Sequence, residues 1–533
     1  MMLRSLLPAA FAAALLTAVP CSILPFAAAA AEPDKAEAKA AEGDKSPADK
    51  KDAGKAEEPI PKEAAVVTHG EVQVGGKSIA YTASTGTLLI RDAEGKPQAS
   101  VFYVAYTADG GKNGASTRPV TFLYNGGPGS ASLWLHMGSF GPVRLTTASP
   151  DPTGPAPYKL VNNDDSLLDR TDLVFIDAIG TGFSKPVGKG TGKDFWGVDQ
   201  DATSFAKFIE RYITVNQRWN SPKFLIGESY GTPRSAVLSN VLQNDGVSLN
   251  GVVLVSSILN YGARIPGLDE EFIDYLPSYA AIAWYHDKLS PKPADLAAYE
   301  QEVRAFARGE YAAALAQGHN LPKAQLDAVA AKMSRYTGLS VAYIEDANLR
   351  VSAARFRAEL LRGERRTMGR YDARFEGIDP DAGGETPSTD ASDTGIIGAF
   401  TAAFNDYLER TLKYSSDVPY ALSGRDINKD WDWKHKVPGR ERPIQLPSTA
   451  GDLAAAMRVN PKLKVFSANG WFDLATPFFA TEFDLSHMDL DPSLVPNVQF
   501  GYYPAGHMIY LNAEALKQLK NDLGKFYDAA AKG

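Results

Sequence analysis

The pattern of polar and apolar positions changes twice along the chain. Polar and apolar residues alternate from Glu71 to Ala108, with glycine and aspartate turn signals between the runs, which predicts antiparallel strands joined in hairpins. Six continuous apolar runs come next, and most of them are separated by stretches long enough for a helix. They occupy residues 120–124, 172–177, 223–226, 251–255, 462–468 and 497–503. Such runs are typical of strands buried on both faces of a mostly parallel sheet, so the pattern predicts an α/β architecture.

The second change lies between residues 264 and 439, where helical periodicity replaces the strand-like runs. It predicts a helical cap insertion that lies over the edge of the sheet and divides the catalytic domain into residues 63–263 and 440–533. A polar loop from Asp379 carries carboxylates at alternate positions, which could attract calcium. Asp390 stands where a calcium loop needs a glutamate, and Pro, Ser and Thr are frequent, so we interpret the segment as an ordinary loop.

The N-terminal segment has the features of a targeting sequence. Arg4 precedes an apolar stretch that prolines interrupt and small residues end, so residues 1–31 are predicted to be a secretory signal peptide rather than a membrane anchor. Residues 32–62 are rich in Ala, Lys, Glu, Asp and Pro and contain no aromatic residue, which predicts a disordered charged linker. We therefore expect a periplasmic or secreted protein with no stable membrane insertion after cleavage. Lipidation of Cys21 is an alternative that its neighbour Pro20 disfavours.

Composition narrows the class of protein. With 533 residues, 44% of them hydrophobic, the chain can bury a large core. Its net charge of −8 comes without a long basic stretch, which argues against nucleic acid as the main partner. The single cysteine lies in the predicted signal peptide, so the mature chain would have neither a cysteine nucleophile nor a thiolate metal site. Nothing in the sequence requires a metal or a cofactor, and nothing in it predicts an oligomeric state.

A candidate nucleophile stands between two glycines in the segment GESYG, which begins at Gly227. The Gly-x-Ser-x-Gly motif alone is common, and its serine can be merely a small residue in a tight turn. Here an apolar run precedes Ser229 and a helix-forming stretch follows it, which predicts a strand, a sharp turn and a helix. That order would lift the serine hydroxyl out of the bend, where it can act as a nucleophile.

A serine nucleophile needs a base and an orienting carboxylate, and both have candidates late in the chain. His507 sits in a small-residue loop between the last apolar run and a predicted final helix, and Asp473 sits in a loop after the run at 462–468. The chain order Ser229, Asp473, His507 is typical of an α/β-hydrolase triad. Taken singly, His507 could be a turn residue and Asp473 could begin a helix. The other histidines lie in the first hairpin, after a glycine loop, in or beside the insertion, or in a polar turn: His69, His136, His286, His319, His435 and His487.

Several segments together resemble the serine carboxypeptidase family, peptidase family S10. They are FLYNGGPGSASLW from Phe122, IDAIGTGFS from Ile176, GESYG from Gly227, NGWFDLATP from Asn469 and AGHMIY from Ala505. The resemblance implies an α/β-hydrolase fold and a serine carboxypeptidase that releases C-terminal residues from peptides with a free C-terminus. An esterase or acyltransferase with the same triad is the alternative enzymatic interpretation. A non-catalytic binding protein that has kept the fold is the alternative from another class.

The resemblance also assigns roles around the triad. It implies that the backbone N–H groups of Gly127 and Tyr230 form the oxyanion hole, and that Asn125 and Glu228 recognise the terminal carboxylate of the substrate. Met508 would lie near the pocket for the leaving residue. The residues themselves are consistent with a glycine loop that lets backbone approach substrate, and no lysine supports a phosphate-binding loop there.

The chain departs from the family at two positions of the first motif region. Ser139 stands where family members commonly carry a second glutamate, so the shared-proton carboxyl pair is incomplete and strict C-terminal specificity is in question. Ser130 stands in place of the usual cysteine, which is consistent with a chain free of disulfides.

Overall fold

A ten-stranded, mostly parallel sheet forms the centre of the fold. The computed structural model describes residues 59–110, 117–424 and 426–531. The predicted signal peptide with Cys21, and the predicted linker up to residue 58, lie outside the described residues. The strands are β1 (Ala64–Val74), β2 (Lys77–Arg91), β3 (Pro97–Ala108), β4 (Val120–Tyr124), β5 (Val143–Leu145), β6 (Leu160–Asn162), β7 (Asp172–Ile176), β8 (Lys185–Pro186), β9 (Lys223–Glu228), β10 (Gly251–Val255), β11 (Thr367–Met368), β12 (Glu376–Gly377), β13 (Lys464–Gly470) and β14 (Val498–Tyr503).

The order of strands across the sheet identifies the fold. It runs β1-β2-β3-β7-β4-β9-β10-β13-β14, with β8 paired to β3. The six strands from β7 to β14 in this order are parallel, and they are the six apolar runs that the sequence predicts as buried strands. β1, β2 and β3 pair antiparallel, and β3 pairs antiparallel with β7. The predicted α/β-hydrolase fold, with N-terminal antiparallel strands on a mostly parallel sheet, is therefore confirmed.

Side chains alternate between two hydrophobic layers on the faces of the sheet. In β9, Phe224 and Ile226 join one layer while Leu225 joins the other. One layer is covered by α15 (Ala513–Ala530) and α11 (Ile397–Arg410), and the other by α2 (Val198–Val215), α3 (Gly231–Asn244) and α13 (Ala450–Val459). Both faces of the central strands are thus buried, which explains why these strands read as continuous apolar runs instead of alternating ones.

The helices lie mainly in two parts of the chain, beside the sheet and between β10 and β13. Those of the sheet domain are α1 (Leu133–Leu135), α2 (Val198–Val215), α3 (Gly231–Asn244), α13 (Ala450–Val459), α14 (Phe478–Ser486) and α15 (Ala513–Ala530). Those within residues 264–439 are α4 (Glu270–Tyr285), α5 (Leu296–Phe306), α6 (Ala312–Leu315), α7 (Lys323–Thr337), α8 (Val341–Asp346), α9 (Ala353–Glu359), α10 (Ala391–Thr394), α11 (Ile397–Arg410) and α12 (Ile427–Asp430). No helix of the described residues is long and apolar enough to cross a membrane.

The predicted cap insertion packs in two different ways. Helices α4 to α9 build a hydrophobic cluster of their own, which also takes in Phe472 and Phe478 from the segment after β13. Helix α11 instead joins the layer under the sheet through Phe400 and Phe404. The insertion therefore shares its core with the sheet domain at both of its ends, and it reaches the loop that carries Asp473.

Candidate active site

Ser229 occupies a strained turn between β9 and α3. Its φ angle is +58°, in the left-handed region that non-glycine residues rarely adopt. A β-carbon at Gly227 would lie 2.1 Å from the carbonyl oxygen of Gly231, so the chain can bend this sharply only because residue 227 is a glycine. The strand, turn and helix predicted around Ser229 are all present, and the backbone strain is of the kind that collects at functional sites.

His507 and Asp473 are joined by a hydrogen bond at the carboxyl ends of neighbouring strands. The Nδ1 atom of His507 lies 2.8 Å from Oδ2 of Asp473, and both side chains are almost completely buried. The carboxylate also accepts hydrogen bonds from the backbone N–H groups of Ala475 and Thr476, at 2.7 and 3.0 Å. These bonds fix the orientation of the Asp473 carboxylate, which in turn orients the imidazole.

The electrostatic environment favours a protonated His507. Burial lowers the pKa of its imidazole, but the charge and hydrogen bond of Asp473 outweigh this effect and hold the pKa above its ordinary value. The hydroxyl of Thr476 lies 2.7 Å from Oδ2 of Asp473 and 3.0 Å from Nδ1 of His507, so it bridges the two groups. His507 can therefore accept a proton at Nε2 while Asp473 stabilises the resulting imidazolium.

Ser229 and His507 face a shared cavity of about 450 Å³. No hydrogen bond joins the Ser229 hydroxyl to His507 among the described residues, where His507 uses only Nδ1 of its two ring nitrogens. Catalytic hydrogen bonds are often long before substrate binds, and they tighten in the reacting complex. The cavity is also lined by Asn125, Gly127, Glu228 and Met508, so the structure brings together seven of the eight predicted site residues around it, counting Asp473 behind His507.

The eighth, Tyr230, contributes backbone next to the glycine loop. A β-carbon at Gly126 would lie only 2.3 Å from the amide nitrogen of Tyr230, so the two segments are in direct backbone contact. Within the described residues, neither the amide of Gly127 nor that of Tyr230 donates a hydrogen bond. Arg234 of α3 holds the loop in place by donating to the carbonyl of Asn125 at 2.7 Å. Two unused N–H donors beside a serine are what an oxyanion hole requires.

Glu228 is a buried carboxyl group without a full set of partners. Burial raises its pKa to about 7, although His507, Tyr510 and Asn125 act in the opposite direction. Among the described residues, neither Oε2 of Glu228 nor the hydroxyl of Tyr510 has a hydrogen-bond partner. Asn125 accepts a hydrogen bond at Oδ1 from Leu135 N–H at 3.0 Å, which leaves its amide NH₂ as the free donor. These groups form a buried polar corner that can bind a carboxylate.

Ser139 does not replace the missing glutamate. It lies in a π-helical turn at His136–Phe140, is fully buried, and donates its hydroxyl hydrogen bond to the carbonyl of Leu135. It therefore has no proton left to share with Glu228, and the neighbour of Glu228 is Tyr510. Burial raises the pKa of Tyr510, so its hydroxyl stays protonated and able to donate.

Several residues at the site are ones that sequence reasoning missed. Tyr371 comes from the cap insertion, yet its carbonyl accepts the backbone N–H of His507 at 2.6 Å and its ring lies 5.3 Å from the imidazole. Its neighbour Arg370 accepts the N–H of Leu474 at 3.0 Å. The segment thus connects the loop of Asp473 with the loop of His507. The missed residues are Arg264, Arg370, Tyr371, Thr476 and Tyr510, and only Thr476 and Tyr510 stand in motifs that could have drawn attention to them.

Comparison with known proteins gives a partial match to one family. Residues 80–273 match peptidase family S10, serine carboxypeptidase. Pheromone-processing carboxypeptidase KEX1 of Saccharomyces cerevisiae is 32% identical over 139 residues, which is 25% of this chain and 18% of the yeast protein. The corresponding protein of Cryptococcus gattii is 27% identical over 165 residues, 30% of this chain and 23% of that protein. The match thus spans less than a quarter of the length of these curated relatives.

Solved structures with lower similarity cover more of the chain. Proline iminopeptidase of Mycobacterium smegmatis is 13% identical with a TM-score of 0.35, over 84% of this chain and 98% of that one. A lipase in its open form is 11% identical with a TM-score of 0.35, over 85% of this chain and all of the lipase chain.

Within the described residues, no group of three or more His, Cys, Asp or Glu side chains is arranged to hold a metal ion.

Proposed function

Because residues 80–273 of this chain match the serine carboxypeptidase family, we propose that the protein is a serine-type carboxypeptidase that removes C-terminal residues from peptides. The observation that carries the proposal is the hydrogen bond between Asp473 and His507, which points the imidazole into the cavity that also holds Ser229. An imidazole oriented by a buried carboxylate is the base that a serine nucleophile needs.

The proposed reaction proceeds in two stages. His507 takes the proton of the Ser229 hydroxyl at Nε2, and the serine oxygen attacks the carbonyl carbon of the last peptide bond. The N–H groups of Gly127 and Tyr230 stabilise the negative charge that develops on the carbonyl oxygen. His507 then donates its proton to the leaving amine, which departs as the released residue. Water hydrolyses the acyl-enzyme by the same steps, so neither metal nor cofactor takes part.

Asn125 and Glu228 are the proposed recognition site for the terminal carboxylate. Asn125 donates with its amide, and Glu228 donates only when protonated, since two carboxylates cannot share a hydrogen bond without a proton. The raised pKa of Glu228 keeps part of the population protonated near neutral pH. Tyr510, whose hydroxyl lies beside Glu228 and Asn125, is a further donor at this corner.

A peptide panel tests the proposal. The purified protein is given N-blocked peptides with a free C-terminus, the same peptides as C-terminal amides, and simple esters, while a fluorophosphonate probe reports on Ser229. We expect release of single C-terminal residues, a preference for the free carboxylate, and labelling that Ser229→Ala abolishes. Folded protein that takes no label at Ser229 would be a binding protein and not a hydrolase.

The second candidate is an esterase or acyltransferase that uses the same three residues. It is favoured by Ser139, whose hydroxyl is committed to Leu135, so the carboxyl pair at the carboxylate site is absent. In the panel this candidate predicts faster turnover of esters and indifference to a free C-terminus. That result would remove the carboxypeptidase assignment and keep the serine hydrolase mechanism.

We also propose where the protein acts and which molecules it binds. Export to the periplasm or secretion depends on residues 1–31, which lie outside the described part of the chain. Peptides with a free C-terminus are the proposed substrates. Fractionation of cells that express the full chain, with N-terminal sequencing of the exported form, checks whether cleavage occurs near residue 31.

A further inference from the structure

Two arginines of the predicted cap insertion carry positive charge into the active-site cavity. Arg264 and Arg370 both line the cavity that holds Ser229 and His507. Arg264 donates one hydrogen bond, to the carbonyl of Ala475 at 2.8 Å. No carboxylate of the described residues lies within 4.0 Å of either guanidinium group. Both groups therefore retain donors that a ligand can use.

The carboxyl groups that line the same cavity have raised pKa values. Glu228 and Asp393 are the carboxyl groups in its lining. Burial raises the pKa of Glu228 to about 7, and burial with the nearby Asp390 raises the pKa of Asp393. Burial raises the pKa of Glu271 against the opposing effect of Arg264, and Glu271 lines a separate small cavity next to Arg264. Arg264 and Arg370 are therefore the two arginines that face a ligand in the main cavity.

The two arginines act at the same end of the cavity. Both lower the pKa of Tyr261, a lining residue, below the value that burial alone would give. Arg370 also lies next to Tyr371, whose ring is 5.3 Å from the imidazole of His507. Arg370 therefore lies beside a residue that contacts His507, and both arginines share the cavity in which a substrate residue next to the scissile bond would lie.

We propose that Arg264 and Arg370 form an anion-binding subsite for the acidic side chain of a substrate residue adjacent to the scissile bond. Arginine suits this role because its planar guanidinium binds a carboxylate through two parallel hydrogen bonds. The preferred substrates would then be peptides with Asp or Glu at the C-terminus or next to it. This inference rests on the proposed carboxypeptidase function, which it extends to a substrate class.

Pairs of peptides that differ only in charge test the subsite. N-blocked peptides carry Glu or Gln as the last residue, and a second pair carries them as the residue before it. We expect the wild-type protein to show about tenfold or more higher kcat/KM for Glu than for Gln at one of the two positions. In Arg264→Gln with Arg370→Gln the ratio of kcat/KM for Glu to that for Gln should fall to about one, whatever loss the two peptides share.

Arg366→Gln is the matched control. Arg366 belongs to the same insertion, lies outside the cavity, and donates from its side chain to the carbonyl of Arg365. It should keep the wild-type Glu preference. A wild-type ratio at or below one at both positions overturns the proposal, and so does a Glu preference that survives in the double variant. Equal loss on Glu and Gln peptides, with no change on C-terminal amides, would overturn it too, because the arginines would then hold the terminal carboxylate.

A binding measurement separates this inference from the proposed function. In a Ser229→Ala background, calorimetry compares the Kd of the Glu and Gln peptides with and without the two arginine substitutions. Tighter binding of the Glu peptide that the arginine substitutions abolish supports the subsite, even if the wild-type protein hydrolyses neither peptide and the carboxypeptidase assignment fails. Equal binding of both peptides overturns the subsite, even if hydrolysis is observed.

Discussion

Two buried histidines of this fold, His507 and His435, are both paired with aspartates. They differ in whether the Nε2 atom of the ring is bound to a carboxylate. His507 uses Nδ1 for Asp473 and leaves Nε2 toward a cavity. His435 is bound at both ring nitrogens, with Nδ1 2.6 Å from Asp199 and Nε2 2.9 Å from Asp452. A ring with a free nitrogen can take a proton from a substrate or a nucleophile, whereas a ring bound at both nitrogens can only hold its neighbours together.

The pKa values of the buried histidines depend on the balance between burial and nearby carboxylates. Burial works against the charged form of His435, but the two carboxylates outweigh it and raise its pKa to about 9. His435 therefore stays protonated at neutral pH as a cross-link between α2, α13 and the end of the predicted insertion. A third buried histidine, His136, bonds to the Tyr106 hydroxyl and has its pKa lowered to about 3 by burial. Burial alone keeps His136 neutral, whereas carboxylate partners outweigh burial at His435 and His507.

The largest expected effect separates the two histidines by substitution. His507→Gln removes the proposed base, so we expect kcat/KM on peptides to fall about 10⁵-fold while the free energy of unfolding stays large enough to keep the protein folded. His435→Gln should leave kcat/KM within about threefold, because its ring lies outside the cavity. Steady-state kinetics and chemical denaturation of both variants measure the two quantities. Equal kinetic losses in the two variants would contradict the assignment of His507 as the base.

The second-largest expected effect is the loss of kcat when the aspartate partner of His507 is replaced. In Asp473→Asn an amide NH₂ can take the place of the oxygen that faces Nδ1 of His507, so the ring would carry its proton on Nε2 and could not act as a base. We expect kcat to fall about 10³- to 10⁴-fold. Asp452→Asn, the same change beside His435, is the control and should leave kcat unchanged. A small kinetic loss in Asp473→Asn would show that another group orients His507.

The features that could be predicted from the sequence are those that leave a local pattern, and contacts between distant segments could not be predicted. Six strands and the turn at Ser229 could be predicted because continuous apolar runs and close glycines leave a local pattern. Asp473 and His507 could be predicted because each follows such a run. The role of His435 could not, because its two carboxylate partners lie on separate helices far apart in sequence. The contact of Tyr371 with His507 is likewise set by how the insertion folds back, for which one sequence holds no local signal.

The proposed role of Glu228 predicts a specific pH dependence of kcat/KM. Its folded-state pKa is raised from 4.5 to about 7, so the proposed hydrogen bond to a substrate carboxylate is lost as pH rises through about 7. For peptides with a free C-terminus, we expect kcat/KM to fall about tenfold per pH unit above that value, and Glu228→Gln to remove this fall. Esters and C-terminal amides should lack it in both proteins. A pH profile that is the same for all three substrate types would contradict the role of Glu228.

The same raised pKa has a consequence for stability. Between pH 4.5 and about 7 the folded protein binds more protons at Glu228 than the unfolded chain does, so stability falls as pH rises through this window. Glu228→Gln avoids the cost of burying the charge, which is on the order of 3 kcal/mol for this shift. We therefore expect the variant to exceed the wild type in free energy of unfolding at pH 8 and to match it at pH 4.5.

The smallest expected effect concerns His435 alone. Its folded-state pKa of about 9 lies above the ordinary value of 6.5, so its contribution to stability is fully present below pH 6.5 and is lost as pH rises through about 9. Asp199 is 40% exposed and solvent weakens that half of the bridge, so we expect His435→Gln to lower the free energy of unfolding by about 1–2 kcal/mol at pH 6.5. The difference should shrink toward zero at pH 10, since the wild-type ring is then neutral. Denaturation at both pH values measures it, and His319→Gln, at an exposed histidine, is the control that should show no loss at either. A loss that stays constant between the two pH values would mean that His435 contributes packing and not charge, and the contrast with His507 would then rest on the free ring nitrogen alone.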